Sequence, residues 1–338
     1  MKFGIFDHVD DSGLAPAEHY AQRLRLAEAI DALPFNSYHV AEHHGTPLGL
    51  APSPNVYLSA VAQRTKRLLL GPMVYVAALY HPLRLAEEIS MLDQMSNGRL
   101  QIGLGRGAVW IEHELYGVER ANVAQRYAEA RDVLLQALTS DTVNFSGEHF
   151  TFRNVRIVLR PKQRPHPPLW YGIANPDSTV WAAANDVNVI SLMPLAGATK
   201  CLTRYREEWD KLGKSLASLP AVGLMRHIVV APTDDEAEAI ARPAFRKWRA
   251  SFTDLWEHSG VPFPLEHILQ REWDGYVKNG LAIAGGPATV REFLAAQIRE
   301  SGANQILGQM IFGSMREEEA RQSLSLFARE VMPSLQSI

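Results

Sequence analysis

Leu92-Asp-Gln-Met-Ser-Asn-Gly-Arg-Leu-Gln-Ile-Gly-Leu-Gly-Arg-Gly107 joins a helix end, a turn, a strand and a glycine-rich strand exit in one run. Ser96, Asn97 and Gly98 tolerate turn dihedrals and end the helical pattern, and Leu100, Ile102 and Leu104 then alternate as strand positions. Gly103, Gly105 and Gly107 leave the strand exit without side chains, so a flat ring or a phosphate has close access to the backbone, with Arg106 as the fixed charge among them. The run therefore reads as a cofactor seat. It is not the dinucleotide fingerprint G-x-G-x-x-G, since the third glycine comes one residue early and Ala108 to Ile111 opens no clearly capped helix. The competing reading is that the glycines only relieve crowding at a sheet corner.

Outward from this run, short apolar β-type segments alternate with amphipathic helical ones. Strands are expected at Phe3 to Phe6, Tyr38 to Ala41, Leu68 to Tyr75 and Leu100 to Leu104, and helices at Ala17 to Ala32, Asn55 to Thr65, Arg84 to Met95 and Ala124 to Leu138. Val143 to Leu159 interrupts the order with a Ser146-Gly147-Glu148 turn and reads as a β-hairpin insertion. Strands at Leu169 to Ile173, Val187 to Leu192 and Val222 to Val230 follow, with helices Ser178 to Asn185 and Ala198 to Leu212 between them. A mostly helical stretch from Asp234 to Lys278 precedes a last strand near Ile306 to Phe312 and a closing helix Glu317 to Glu330. About eight strand and helix units is the number that closes a parallel (β/α)8 TIM barrel, read here as one domain over residues 1–338. Periodicity does not show closure, so an open doubly wound sheet stays in play.

Composition fits an enzyme. The 338 residues are 46% hydrophobic and 21% charged, enough apolar content for a large core. With 34 basic residues scattered among 37 acidic ones and a formal net charge of −3, no basic field exists for nucleic acid. One cysteine, Cys201, forbids an internal disulfide, and neither a long apolar leader nor a bilayer-spanning run is present, so a cytoplasmic setting without membrane is expected.

In a parallel barrel the active site lies where the strands end. That rule selects His8, Glu42-His43-His44, Met73-Val74-Tyr75, Gly105-Arg106, Ala174-Asn175 and Leu192-Met193. His39-Val-Ala-Glu42-His43 also matches the H-x-x-E-H zinc pattern, but that pattern needs a helix, and Pro34, Gly45, Pro47 and Gly49 leave too few residues for one. No metal site is assigned. As a strand tip, the cluster lets Glu42 orient one imidazole, an arrangement that tunes His43 as a base; polar lining of a barrel rim is the alternative. Ala174-Asn-Pro-Asp-Ser-Thr179 offers Asn175 as a helix N-cap and Pro176 as the first helical residue, with free N–H groups and the Ser178 and Thr179 hydroxyls for a phosphate. Ordinary capping explains the same residues.

Lys2-Phe-Gly-Ile-Phe6, Ala41-Glu-His-His44, Tyr80-His-Pro82, Leu92 to Arg99, Gly103 to Gly107 and Gly285-Gly-Pro287 together resemble the bacterial luciferase-like flavin monooxygenases, over nearly the whole chain. The resemblance implies a barrel that receives reduced FMN from a separate NAD(P)H-dependent reductase, adds oxygen to it and oxidises an organic substrate through a peroxyflavin. It implies His43 as the catalytic acid or base with Glu42 and His44 beside it, a phosphate grip from Arg106, Asn175, Ser178 and Thr179, a non-prolyl cis peptide at Met73-Val74 beneath the ring, and Trp248 beside it. Ala174 and Gly105 fall at the same strand ends, and Leu79, Tyr80, Trp110, Leu192 and Met193 would line an apolar pocket. Relatives are commonly homodimers. The luciferase catalytic subunit has a reactive cysteine where this chain has Gly105 and a serine where it has Asn175, so light emission is not carried over. A deazaflavin-dependent oxidoreductase of the same fold and a non-catalytic flavin-binding subunit are the alternatives.

Overall fold

Along Lys2–Asp7 (β1), Phe3 and Ile5 pack under the surrounding helices, whereas Phe6 joins Ala41, Met73, Trp170, Ile190 and Leu307 in a second apolar cluster inside a ring of strands. A strand buried on both faces in this way is the mark of a parallel sheet covered by helices. The computed structural model describes residues 1–336. β1 pairs in parallel with Ser37–Val40 (β2), and β2 with Leu69–Pro72 (β3). The chain breaks at Met73 and resumes as Tyr75–Val76 (β4), which pairs with Ile102–Gly105 (β5). A hairpin of Thr142–Ser146 (β6) and Thr151–Arg156 (β7) stands outside the ring. Leu169–Gly172 (β8), Asn188–Ser191 (β9), Val222–Val230 (β10), Ala282–Gly285 (β11) and Gln305–Gln309 (β12) complete the strands.

β12 returns to β1, and a bridge between Leu70 and Leu100 joins β3 to β5, so the parallel ring closes as a (β/α)8-type barrel rather than an open sheet. Proline in the first turn of the helices at Pro16–Ala32, Pro54–Arg64, Pro82–Met95 and Pro287–Ser301 presets the first helical φ where no N–H is needed. Several sequence expectations shift. The single strand expected from Leu68 to Tyr75 is split by the Met73-Val74 peptide, which is cis. A strand and a helix, β11 and Pro287–Ser301, lie between the helical insertion and the last strand. They went unread because Ala282-Ile-Ala-Gly285 is short and small, and it pairs only with the outer half of β10, from His227 to Val230. The last strand ends at Gln309 rather than Phe312, and the closing helix Glu317–Leu326 passes through a π turn at Phe327–Val331.

The opening run explains the closure. Asn97 and Gly98 both adopt positive φ, of 62° and 79°, and turn the Pro82–Met95 helix into β5. The Arg99 guanidinium then donates to the carbonyls of Ala62, Thr65, Leu68 and Ser96 and to the Thr65 hydroxyl, tying the turn to the end of the preceding helix. Where β3 and β5 meet, a Cβ on Gly103 would lie 2.3 Å from the Pro72 carbonyl oxygen, and one on Gly71 2.4 Å from that of Gln101. Only glycine fits between two backbones that close. Gly103→Ala is therefore expected to lower unfolding free energy by about 3 kcal/mol or more, since the clash is with backbone. Gly172→Ala, whose Cβ would meet nothing within 4 Å, should stay within about 0.5 kcal/mol. Urea titrations of the two variants check the contrast, and equal losses would refute it.

Candidate active site

β2 runs out at Val40, and the next four residues carry the polar cluster at the rim. Glu42 is buried, and its carboxylate accepts from the Val76 N–H at 3.2 Å, the Tyr80 hydroxyl at 2.8 Å and His44 Nε2 at 2.9 Å. His44 Nδ1 in turn lies 2.9 Å from the Tyr116 hydroxyl, so both of its ring nitrogens are used. Burial and the neighbouring Glu42 charge hold the Tyr80 phenol far above its ordinary pKa, which keeps it a donor.

The imidazole that Glu42 orients is therefore that of His44, and the carboxylate expected to tune His43 belongs to another residue. His43 Nδ1 lies 2.9 Å from Glu112 Oε1, and the same oxygen accepts the His44 backbone N–H at 3.1 Å. Glu112 sits on a short helix, Trp110–Leu115, where the sequence shows no clear cap; its side chain is 1% exposed against 17% for His43. With Glu112 ionised, His43 donates Nδ1–H and presents the Nε2 lone pair. Nε2 makes no hydrogen bond among the described residues. His113 Nε2, 2.6 Å from the Arg106 carbonyl, fastens the short helix to the end of β5. A heptad of sequence, Arg106 to Glu112, thus connects the strand exit to the catalytic candidate.

His8 follows β1 and stacks near His43, ring centroids 5.6 Å apart at 24°. Trp248, 2% exposed, packs on His227 and Phe252 and directs its indole N–H to His8 Nδ1 at 3.3 Å. Burial, then His43, His227 and Arg23, holds the His8 pKa well below the ordinary imidazole value, so this ring is neutral. His39 faces the barrel interior against Trp170, with neither ring nitrogen bonded, which separates it from the His43 tip.

Gly103 and Gly105 are filled from the side. A Cβ on Gly105 would lie 2.3 Å from Val74 Cγ2, so these glycines admit the neighbouring strand rather than leave an open seat. Met73 is buried in the interior cluster and Val74 packs at its edge. Arg106 is exposed and has no ion-pair partner among the described residues, and because β5 pairs with β8 its strand exit neighbours the one that leads to Ala174 and Asn175. The Ala174–Thr179 turn differs from expectation. The regular helix begins at Ser178, two residues past Pro176; Asn175 Oδ1 accepts the Asp177 N–H, and the Ser178 and Thr179 N–H groups bond the Asn175 and Pro176 carbonyls. The Ser178 and Thr179 hydroxyls donate to those same carbonyls at 2.5 and 2.6 Å, and Thr179 is fully buried. Local bonds thus consume the expected helix-start donors, leaving Arg106 and the Asn175 amide facing outward. An unpaired guanidinium after β5 and an unbonded amide after the neighbouring β8, with half-used imidazoles at other strand tips, fit a ligand with an anionic tail and a proton-exchanging head.

No helix among the described residues is long and apolar enough to cross a membrane. A family model described as luciferase-like monooxygenase matches residues 1–305. Limonene 1,2-monooxygenase of Rhodococcus erythropolis is 31% identical, covering 98% of this chain and 86% of its own. The oxygenase component of flavin-dependent trigonelline monooxygenase from Acinetobacter baylyi is 28% identical over 71% and 68%. The crystal structure of monooxygenase RslO1 from Streptomyces bottropensis superposes with a TM-score of 0.88 at 26% identity, covering 99% and 100%. Two structures below 25% identity share the fold: the oxygenating constituent of 3,6-diketocamphane monooxygenase from Pseudomonas putida in complex with FMN (TM-score 0.83, 19% identical, covering 98% and 98%), and a coenzyme F420-dependent tetrahydromethanopterin reductase from Methanopyrus kandleri (0.70, 21% identical, covering 98% and 99%). The chain belongs to the luciferase-like monooxygenases, a family of oxidoreductase enzymes built on this barrel.

Proposed function

We propose that this monooxygenase uses reduced FMN, delivered by a separate NAD(P)H-dependent reductase, and molecular oxygen to oxidise a small, largely apolar organic molecule. The observation that carries the reading is the His43–Glu112 pair at the barrel mouth, whose free Nε2 is the only nitrogen of that pair open to a reacting group. The name of the trigonelline relative, an oxygenase component, supports division of labour with a reductase, and the FMN complex of a fold neighbour supports FMN. Bound reduced flavin would supply the electrons and the activation of oxygen. The chain supplies the rest. Arg106 and the Asn175 amide would hold the phosphate, with Ser178 close by. Met73, Val74 and Gly105 would form the wall under the ring beside Ala174, and Trp248 would buttress the site. His43 accepts and returns one proton at Nε2 while Glu112 fixes its tautomer and offsets the imidazolium charge. Apolar side chains among the expected lining, such as Leu79 and Met193, would help to keep water from the reacting atoms. The same reading has the protein acting as a cytoplasmic homodimer and the chain as one domain. A deazaflavin in the same seat is the second reading, favoured by the F420-dependent neighbour and by a His–Glu pair that serves hydride chemistry equally well.

Rapid mixing of the protein and anaerobically reduced FMN with oxygenated buffer separates the two. An absorbance transient distinct from reduced and oxidised FMN, decaying slowly, is expected; direct reoxidation despite FMN binding would shift the reading to deazaflavin. His43→Ala should shorten that transient or lower substrate-coupled oxygen uptake by about 100-fold while FMN affinity changes less than about threefold. Glu112→Ala should act in the same direction, and unchanged kinetics in either variant would remove the pair from the mechanism. Arg106→Ala should weaken FMN by roughly 10- to 100-fold, the worth of a charge-assisted contact, and leave riboflavin nearly unaffected. Calorimetric titration with both flavins is the check, and equal losses would remove the phosphate role.

A further inference from the structure

Three imidazoles meet at the barrel mouth, and only two Nε2 atoms remain unbonded. His44 is spent on Glu42 and Tyr116. His43 spends Nδ1 on Glu112. His8 spends Nδ1 twice, receiving the Trp248 indole N–H at 3.3 Å and the Gln309 amide N–H at 2.9 Å. Indole nitrogen only donates, so His8 Nδ1 carries no proton and the neutral ring holds its proton on Nε2. His8 Nε2 makes no hydrogen bond among the described residues, yet it is not sealed in like the ring nitrogens of His39. Phe6 packs edge-on at 4.7 Å and His43 lies parallel at 5.6 Å, so the ring has little freedom to turn. The result is a fixed N–H donor adjacent to the His43 acceptor, with Phe6 and Trp248 packed against its ring.

We propose that His8 is a substrate-binding residue whose Nε2–H receives an acceptor oxygen of the substrate, so that the enzyme selects oxygen-bearing apolar molecules over hydrocarbons of the same shape. The inference rests on the monooxygenase reading of the same site. A donor that a bound substrate cuts off from water costs free energy when it gains no acceptor, so a substrate that satisfies it is preferred over one that leaves it unmet. Trp248 and Gln309 act through His8 as positioning residues. Because the Nδ1 lone pair is already occupied by two donors, the ring is held as a neutral donor, the use an enzyme makes of a histidine that polarises a carbonyl without being charged.

The test uses full-length protein and matched probe pairs in which a carbonyl is replaced by an exocyclic or terminal alkene: cyclohexanone with methylenecyclohexane, and 2-decanone with 2-methyl-1-decene. Wild type should bind at least one carbonyl member about 10-fold more tightly than its alkene partner, read by competition or by calorimetry. His8→Phe, which keeps the ring and loses the N–H, should abolish that preference while alkene binding changes less than about twofold. His8→Gln, which retains an N–H donor, should restore part of it. Wild type that shows no carbonyl preference in either pair overturns the proposal, as does a preference that survives in His8→Phe. Should His8→Phe fail to fold, 15N spectra of histidine-labelled wild type decide, with His8 assigned by its loss in His8→Gln: a neutral Nε2–H tautomer is required, and an Nδ1–H tautomer overturns the proposal. FMN binding and reoxidation by wild type are measured alongside, so that failure of the flavin reading shows itself separately from failure of the His8 assignment.

Discussion

The backbone contact between β3 and β5 is the constraint from which the rest follows. The ring of strands closes there through the Leu70–Leu100 bridge, and the approach is so close that neither Gly71 nor Gly103 has room for a Cβ. Closure sets the direction in which β5 leaves the barrel, and that exit carries Arg106, the His113 tie to its carbonyl and the short helix bearing Glu112. A carboxylate 69 residues downstream of His43 reaches it only because two strand tips are brought together by a contact lower in the ring. Packing at the closure thus determines the tautomer of a histidine at the mouth. In a closely packed interior such a contact has no soft way to yield, so the coupling is geometric rather than adjustable.

Much of the architecture was legible because it is written in local chemistry. The Ser96-Asn97-Gly98 turn is readable from residues that accept positive φ, and the helix starts from prolines whose missing N–H costs nothing in a first turn. What escaped is non-local. Glu112 is surrounded by Trp110, Ile111, His113 and Glu114, and nothing in that run marks its carboxylate as the partner of His43; an acidic residue soon after the glycine-rich strand exit was the one available signal. Val74 and the Pro72 carbonyl lie where Cβ atoms on Gly105 and Gly103 would go, a crowding that the residue pattern alone does not distinguish from a cofactor seat. At the helix start after β8, Asn175, Ser178 and Thr179 have the residue types of an anion site, yet the turn uses the Asn175 carbonyl oxygen and both hydroxyls internally and leaves only the Asn175 amide nitrogen open, and composition does not reveal which donors are already spent.

That distinction between spent and unspent groups organises the mouth of the barrel. Glu42 receives three donors and thereby becomes a structural post joining β2, β4 and the Tyr80 hydroxyl. Glu112 receives two donors from consecutive residues and leaves the His43 ring half-used. A carboxylate buried this far from water is stable only while its hydrogen bonds are kept, so each acid restricts the residues around it to one arrangement. Among the described residues the polar groups that remain open at these strand ends follow different strands: the two Nε2 atoms after β1 and β2, the guanidinium after β5, the amide after β8.

The two half-used imidazoles are made unlike each other by their partners. His43 faces a carboxylate, which takes the Nδ1 proton as a hydrogen bond, and it is the more exposed of the pair. His8 faces an indole and an amide, both donors, within a shell of Phe6, Trp248 and His43 that offers an imidazolium no compensation. Protonating His8 at Nδ1 would break both of its hydrogen bonds, whereas protonating His43 at Nε2 breaks none. Two residues with the same side chain, ring centroids 5.6 Å apart, are thereby given opposite tautomers by what binds their Nδ1 atoms. In the proposed function the first would exchange a proton and the second would hold a substrate oxygen without giving its own proton away.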